Sequence, residues 1–382
     1  MGEMKMKLFN ITKSAMLVAT MLAPLYGSQA FAEDGINIGG AVRVNYGLKF
    51  YDEASKDKGG DLTFDMLALT FDGKHGDWGL ASEYRFTSYG DYIKKGYLYY
   101  SLASEWELQF GINNVPFGNR EYISNSFWLG IPYYLGLEDD FDVGVKATFD
   151  NGNWHSDFAF YKNPEYGPSE INRYAADLYS GKINGTQYAN EETNQLNLRQ
   201  TYTLTKGDLA VTMGGSVEVG QIYNSITHET GDRYAVALHL DTSYQGWNLQ
   251  LQAMEYEYDA KNQPDVDSNK IGISVVGWQY EIASKGQVYH VNLAKSFATS
   301  WGSVKVYNDF GYMTPDTNDE SFDNSLQNVT GMAIAAGPTY TMVDFIMGQN
   351  MTFATKMDDH VGLPEAGDGW DKRININFGY YF

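Results

Sequence analysis

Two pairs of histidine and aspartate are the residues in this sequence whose spacing comes closest to that of catalytic groups. His155 precedes Asp157, and His239 precedes Asp241, each with one residue between them. Residues two apart on a strand share a face, so each carboxylate could orient its imidazole to polarise water. This spacing is common, and the sequence contains neither G-x-S-x-G nor H-E-x-x-H. Hydrolysis is therefore a minor alternative, and we predict a protein that is not an enzyme.

Composition excludes several other classes of site. The 382 residues include no cysteine and carry a formal charge of −21. Disulfides, thiol nucleophiles and thiolate metal sites are therefore absent. Nucleic-acid binding needs clustered Lys and Arg, so we expect no nucleic-acid partner. We also expect no cofactor and no metal site.

Charged residues at alternate positions in strand-like segments suggest ion selection instead. Because charge facing lipid is costly, charges opposite the apolar face should line a lumen. The basic residues assigned this way are Arg43, Arg85, Lys146, Arg199 and Arg373. The acidic residues are Glu83, Asp142, Asp157, Glu218 and Asp241. Such charges either select ions at a narrow point or merely solvate a wide, water-filled lumen.

The elements that carry these charges alternate strictly between apolar and polar residues. Residues 36–50 and 373–382 are the clearest cases, and about 16 such segments follow one another along the chain. Short Gly, Asp and Asn turns alternate with long polar loops, as in membrane barrels. The sequence therefore predicts an all-β fold, a transmembrane antiparallel β-barrel with short periplasmic turns and long external loops. Segment 270–282 does not fit; it is either a hairpin extension outside the membrane or a sign that the predicted turn at 340–342 is wrong.

The N-terminal residues predict export. Three lysines occur within the first 13 residues, an apolar run covers 15–25, and an A-x-A cleavage site ends at Ala32. We predict a signal peptide at 1–32 and one mature barrel domain at 33–382. The apolar run is shorter than the ~20 residues of a membrane-spanning helix.

The C-terminal segment resembles the terminal strand of bacterial outer-membrane barrels. It ends on Phe382, with Tyr380, Phe378 and Ile376 at alternate positions before it. The resemblance implies a location in the bacterial outer membrane, in contact with lipid and lipopolysaccharide. It also implies that Phe382 is recognised by the barrel-assembly machinery.

The stretch GINNVPFG at 111–118 and the aromatic segment after it resemble trimeric Gram-negative porins, particularly the phosphate-selective porins O and P. The resemblance implies a homotrimer, and an inward-folded third loop at 113–140 that constricts the channel. An ordinary outer loop is the alternative. The candidate constriction residues are Arg120, Glu121, Tyr122, Trp128, Tyr133, Tyr134, Glu138, Asp139 and Asp140.

The sequence departs from the phosphate-selective pattern because Arg120 is the only base in 113–140. A phosphate path needs a series of cations. We therefore predict a channel for passive diffusion of small hydrophilic solutes and ions that is neutral or mildly cation-preferring. A basic wall facing an acidic loop would create a transverse field, with Arg43 and Arg373 as neighbours where the barrel closes. Alternatives are a sugar- or anion-selective porin, and a narrow barrel that does not conduct.

Overall fold

The protein folds into a closed antiparallel barrel of 16 strands. The computed structural model describes residues 35–356, 359–364 and 369–382. The predicted signal peptide, 1–32, and the predicted first mature residue, Glu33, lie outside this described part. The all-β class and the number of barrel strands predicted from the sequence are confirmed.

Strands that follow one another in the barrel are hydrogen-bonded neighbours, and the last pairs with the first. In chain order they are β1 (Gly35–Lys49), β2 (Asp61–His75), β3 (Trp78–Thr87), β4 (Asp91–Ala103), β5 (Trp106–Asn114), β6 (Phe141–Asp150), β7 (Trp154–Pro164), β8 (Asn190–Lys206), β9 (Leu209–Asn224), β10 (Thr230–Tyr244), β11 (Trp247–Asp259), β12 (Lys285–Ala298), β13 (Ser303–Pro315), β14 (Ser325–Ala336), β15 (Thr339–Gln349) and β16 (Asp371–Tyr381).

The predicted difference between the two ends of the barrel is present. At one end, the connections between strands contain two to four residues. At the other end the longest connections are 115–140, 165–189, 260–284 and 350–370. Two short helices also occur at this end, Glu53–Lys58 and Ile131–Tyr134, the first capped by Asp52.

Alternation along each strand separates an apolar exterior from a polar interior. On β16, Phe378 and Tyr380 are 44% and 47% exposed, whereas Arg373, Asn375 and Asn377 are buried. The same period of two leaves large apolar side chains exposed on the outer face of nearly every strand. None of the helices in the described ranges has the length and apolar character needed to cross a bilayer.

Closure of the barrel pairs β1 with β16, but in a different register from the one expected. The backbone N–H and C=O of Gly40 bond to those of Phe382, at 2.9 and 3.1 Å. In this register Arg43 lies opposite Gly379, and Arg373 lies opposite Lys49. The prediction that Arg43 and Arg373 are neighbours is therefore wrong. Alternation predicts which face a residue is on, but it does not determine the offset between two strands.

Segment 270–282 is a hairpin outside the barrel. Its strands, Lys270–Val275 and Trp278–Ala283, join Asp177–Leu178 and His360–Val361 in a four-stranded sheet, called the outer sheet below. The predicted turn at 340–342 is also wrong, because the chain turns at residues 337–338 and β15 begins at Thr339.

The polar segment 162–194 includes the ends of two barrel strands. Strand β7 continues to Pro164, and β8 begins at Asn190. The connection between them also contains a small hairpin of Lys182–Ile183 and Thr186–Gln187.

Gly40→Ala should weaken the closure of the barrel. A Cβ at this position would lie 2.3 Å from the carbonyl oxygen of Ala68 and 2.8 Å from Cζ of Phe382. Overpacking of this kind costs about 1–3 kcal/mol. We expect a lower melting temperature in detergent, measured by the heat-dependent change in electrophoretic mobility. Gly215→Ala is the matched control, because its Cβ would meet no atom of the described structure nearer than 3.5 Å. Equal melting temperatures for Gly40→Ala and Gly215→Ala would contradict the proposed role of Gly40.

Candidate functional site inside the barrel

Segment 115–140, called the inner segment below, leaves the wall after β5 and crosses the lumen before it returns at β6. The backbone N–H of Gly118 donates to Ser216 Oγ on β9, at 3.1 Å. The next N–H, of Asn119, donates to Gln252 Oε1 on β11, at 2.9 Å. These strands are several positions around the barrel from β5, so the segment is folded inward rather than projecting into solvent.

One buried carboxylate on β13 holds the middle of the inner segment. Asp309 Oδ2 accepts hydrogen bonds from Ser124 Oγ (2.9 Å), Asn125 N (2.6 Å) and Ser126 N (3.0 Å). Its Oδ1 accepts a further bond from Asn125 Nδ2, at 3.0 Å. Hydrogen bonds to an ionised acceptor are stronger than neutral ones, so this contact holds three consecutive residues, Ser124 through its hydroxyl and the other two through their backbone N–H groups.

Two cations hold the aromatic residues that follow. The Arg373 guanidinium lies 4.1 Å from the ring centre of Trp128, and that of Arg43 lies 5.4 Å from the ring centre of Phe127. The N–H of Phe127 also donates to Asp344 Oδ2, at 3.2 Å. The arginines on the first and last strands therefore bind the inner segment through cation–π contacts.

The aromatic residues predicted to form the constriction mainly pack the inner segment against its surroundings. The Tyr133 hydroxyl donates to the carbonyl of Tyr174 (2.6 Å), and the Tyr134 hydroxyl donates to that of Trp128 (2.7 Å). Tyr133, Tyr134 and Trp128 are buried, whereas Tyr122 is half-buried. Their edges nevertheless line a cavity between the inner segment and the wall.

This cavity measures about 280 Å³ and lies between the inner segment and the inner faces of β15, β16 and β1 to β4. Its charged lining residues are Arg43, Asp65, Glu83, Arg85, Lys94, Glu121 and Asp139. Its largest group of lining side chains is aromatic: Tyr89, Tyr92, Tyr122, Phe127, Trp128, Tyr133, Tyr134, Tyr174, Tyr340, Phe353 and Tyr381.

Each cation of the cavity has an acidic partner. The ion pairs are Arg43–Asp65 (2.6 Å), Arg85–Glu83 (2.6 Å) and Lys94–Asp139 (3.3 Å). The first two pairs lie within the wall, and only the third joins the wall to the inner segment. The predicted separation of a basic wall from an acidic loop is therefore wrong. Buried and partly buried charges are stabilised by an adjacent opposite charge, which brings both signs onto the same strands.

Two other predicted bases lie away from the cavity and bind the end of β5 and the start of the inner segment. Lys146 Nζ donates to the carbonyl of Asn114 (2.7 Å), and Arg199 Nε donates to that of Gly118 (2.8 Å). Arg120 is half-exposed and lies 3.6 Å from the predicted wall residue Asp157, which Arg199 and His155 also contact.

Two predicted acids of the inner segment are buried, and of these Asp139 lines the cavity whereas Glu138 does not. Glu138 accepts hydrogen bonds from Ile123 N (3.0 Å) and Gln252 Nε2 (2.5 Å), and burial raises its pKa to about 8. Burial also raises the pKa of Asp139, against the opposing effect of Lys94.

Three further acids also lie away from the cavity. Glu218 contacts Arg233, and Asp241 accepts hydrogen bonds from Asn248 and Gln250. Asp142, on β6, lies beside Asp140 in a separate cluster of carboxylates.

Sequence reasoning missed Lys94 and Tyr174. Strand β4 begins at Asp91, and a bulge leaves Lys94 outside the pairing between β3 and β4. Both Lys94 and its neighbour Lys95 are therefore buried, which strict alternation forbids. Two consecutive lysines before an aromatic strand were the available signal. Tyr174 lies in a loop without periodicity, yet its ring centre is 3.9 Å from Lys94 Nζ.

The two predicted His–Asp pairs have different surroundings. His155 Nε2 lies 3.1 Å from Asp157 Oδ2, as predicted, but Arg120 also contacts the same nitrogen, at 3.0 Å. His239 Nε2 instead lies 3.3 Å from Ser216 Oγ.

Known proteins resemble this chain in fold but not in sequence. No protein-family profile matches it, and no curated protein sequence matches it. Among solved structures, the outer-membrane channel DcaP of Acinetobacter baumannii is similar with a TM-score of 0.59 and 15% identity, over 94% of this chain and 99% of that one. An anion-selective porin from Comamonas acidovorans has a TM-score of 0.59 and 12% identity, over 92% and 100% of the two chains.

OmpF of Salmonella typhi, in complex with daunomycin, also has a TM-score of 0.59, at 9% identity, over 91% of this chain and 98% of that one. At these identities the likeness establishes a shared fold. The barrel of this chain is therefore of the porin type.

Asp309→Ala should release the middle of the inner segment. The change removes the acceptor of bonds from Ser124, Asn125 and Ser126. Leaving a buried donor unpaired costs about 1–3 kcal/mol. We expect amide hydrogen exchange in 122–128 to become at least roughly tenfold faster, since ~1.4 kcal/mol corresponds to a factor of ten. Exchange would be followed by mass spectrometry.

The control is Asp316→Ala, which removes an exposed carboxylate just beyond the same strand. It should leave exchange in 122–128 unchanged. Unchanged exchange in Asp309→Ala would show that packing alone holds the segment.

Proposed function

We propose that the protein is an outer-membrane channel for passive diffusion of small hydrophilic solutes and ions. The observation that carries the proposal is a closed 16-strand barrel with an apolar exterior, a polar interior and an inner segment that narrows the lumen. About 16 strands leave room for an aqueous channel. The outward-facing aromatic and aliphatic side chains would contact lipid.

The passage is proposed to follow the 280 Å³ cavity between the inner segment and β15, β16 and β1 to β4. Here the wall contributes Arg43, Arg85 and Lys94, and the inner segment contributes Glu121 and Asp139. In this proposal, 113–140 is the constriction loop, and its anchors on β9 to β16 keep it against the opposite wall. The predicted residues Lys146, Arg199 and Arg373 support the loop, whereas Arg43, Arg85 and Glu83 face the solute.

The charge of the cavity favours weak selection of cations. Three bases and four acids line it, so one formal negative charge remains when all are ionised. Because the bases are paired, the cavity offers no series of free cations for phosphate. The relation to porins O and P stays a hypothesis based on residues 111–118.

Sugar conduction is a second candidate, favoured by one observation. Trp128 Nε1 is buried at the cavity and has no hydrogen-bond acceptor in the described part of the chain. An indole N–H beside tyrosine rings could bind a hydroxyl of a solute that stacks on them. Liposome swelling with sugars of increasing size tests this candidate, and exclusion of the smallest sugars would reject it.

A hydrolase is not proposed. Ser216 Oγ contacts His239, but it also accepts a bond from Gly118 N–H of the inner segment, and both side chains are buried. His239 has no contact with a carboxylate in the described structure that would orient it as a base. Peptide or phospholipid cleavage that is lost on His239→Ala would overturn this conclusion.

The assembly partners rest on the resemblance of the C-terminal strand and of 111–118. We propose insertion by the barrel-assembly machinery through Phe382, contact with outer-membrane lipid and lipopolysaccharide, and a homotrimer. Phe382 is 58% exposed, so its ring is accessible to a partner.

In a planar bilayer, the purified protein should form stable conducting channels. In a KCl gradient, the zero-current potential should give a permeability ratio of K⁺ to Cl⁻ modestly above unity, because of the excess acid in the cavity. Conductance steps in groups of three would support a trimer. Absence of conductance would reject the channel, and clear anion selectivity would reject the proposed charge balance.

Glu121→Gln should shift the permeability ratio toward unity. The substitution leaves three acids against three bases in the cavity lining, so the remaining formal charge disappears. Glu170→Gln is the control, because this acid lies in the 165–189 connection and does not line the cavity. If the permeability ratio of K⁺ to Cl⁻ is unchanged in Glu121→Gln, the charges that select ions lie elsewhere.

A further inference from the structure

Three buried carboxylates meet where the inner segment returns to the wall. Asp140 ends the inner segment, Asp142 belongs to β6, and Asp177 belongs to the outer sheet. One oxygen from each lies within 4.8 Å of the others. All three residues are at most 2% exposed. Asp140 and Asp142 lie two residues apart along the chain, and tertiary packing of the outer sheet brings Asp177 to them although the three groups repel one another.

Donors in the surrounding structure do not satisfy these carboxylates. Asp140 Oδ1 accepts a bond from Phe141 N (2.7 Å), but Asp140 Oδ2 is buried without a donor in the described part of the chain. The same is true of Asp142 Oδ1 and Asp177 Oδ1. Buried acceptors without a donor are rare in folded proteins, and each calls for an unseen partner.

The neighbouring charges do not balance the cluster. Arg173 contacts Glu165 and Asp177, and Arg233 contacts Glu192 and Glu218. Together with Asp140 and Asp142, these make six buried carboxylates beside two guanidiniums, an excess of four formal negative charges. Each guanidinium already contacts two other acids, and neither forms an ion pair with Asp142 in the described structure. Buried charge without a counter-charge is strongly unfavourable.

We propose that Asp140, Asp142 and Asp177 bind a calcium ion. Carboxylate oxygens are hard ligands that suit Ca²⁺ and Mg²⁺, and no histidine or cysteine is present in the cluster to favour zinc. Ca²⁺ accepts flexible coordination by six to eight oxygens, whereas Mg²⁺ keeps several waters in octahedral geometry. The tight burial of the cluster favours the ion that can exchange its waters for protein oxygens. This proposal revises the expectation from the sequence that no metal site exists.

The ion would join the outer sheet to the point where the inner segment continues into β6, because Asp140 and Asp142 lie two residues apart on either side of that junction. Asp140 belongs to the inner segment, Asp142 to the wall, and Asp177 to a strand that pairs with Lys270–Val275 of the outer sheet. Calcium would therefore fix this junction to the outer sheet. The proposal does not depend on whether the barrel conducts.

The site is tested by titration calorimetry on the purified protein in detergent, after EGTA has removed any bound metal. Titration with CaCl₂ should give one binding event per chain that MgCl₂ does not reproduce at the same concentration. Asp142→Asn and Asp177→Asn should each weaken calcium binding at least roughly tenfold, because each removes a ligand charge. Asp316→Asn, which changes an exposed carboxylate paired with Lys285, should bind calcium as the wild type does.

Thermal stability provides a second test. Substitution of an aspartate with only a structural role would not change how the melting temperature depends on calcium. In EGTA, Asp142→Asn should melt at or above the wild-type temperature, because it removes a repulsive charge. With calcium, the wild type should melt at the higher temperature. Heat-modifiable mobility would verify that each variant is folded, and Asp177→Asn decides the question if Asp142→Asn does not fold.

Three results would overturn the proposal. The first is absence of calcium binding by the wild type. The second is equal binding by the wild type and by folded Asp142→Asn and Asp177→Asn, which would indicate adventitious surface binding. The third is equal affinity for Mg²⁺, which would reject the assignment to calcium.

Discussion

Every backbone N–H and C=O of a barrel wall must be paired, and this constraint governs the rest of the structure. An open strand edge would leave polar groups without partners in an apolar environment, so the sheet closes on itself. Closure occurs between β1 and β16, where Phe382 bonds to Gly40 at both of its backbone groups. Once the sheet is closed, successive residues along a strand face either the exterior or the interior of the barrel. The apolar set lies outside, and the polar set must be accommodated together inside.

That interior is too polar to collapse and too wide to be filled by wall side chains alone. The inner segment fills part of it, and its contacts use the polar groups that the strands direct inward. Asp309 binds its middle, Arg373 stacks on Trp128, and Arg199 donates to Gly118. The lumen charges thus hold the inner segment in place. The remaining cavity keeps both signs of charge in close pairs, which is consistent with a weakly selective rather than a strongly selective passage.

The long connections at one end form a structure of their own. Parts of 165–189, 260–284 and 350–370 build the outer sheet, whose buried residues Ile271, Ile273, Tyr280 and Ile282 share one apolar core with the inner segment. Tyr280 also donates its hydroxyl to the carbonyl of Tyr134, at 2.6 Å. The aromatic residues of the inner segment therefore pack between the wall and this sheet. The carboxylate cluster lies where all three meet, and a bound cation there would influence each of them.

The sequence by itself determined the barrel, its 16 strands and the assignment of inner and outer faces. These follow from period-two patterning and turn residues, which act within a few residues along the chain. The tertiary structure alone decided the register at the seam, which separates Arg43 from Arg373, and the bulge that buries Lys94. It also decided the pairing of each cavity base with an acid, and the meeting of Asp140, Asp142 and Asp177. These features depend on offsets between strands and on loops without periodicity, and neither leaves a local pattern in the sequence.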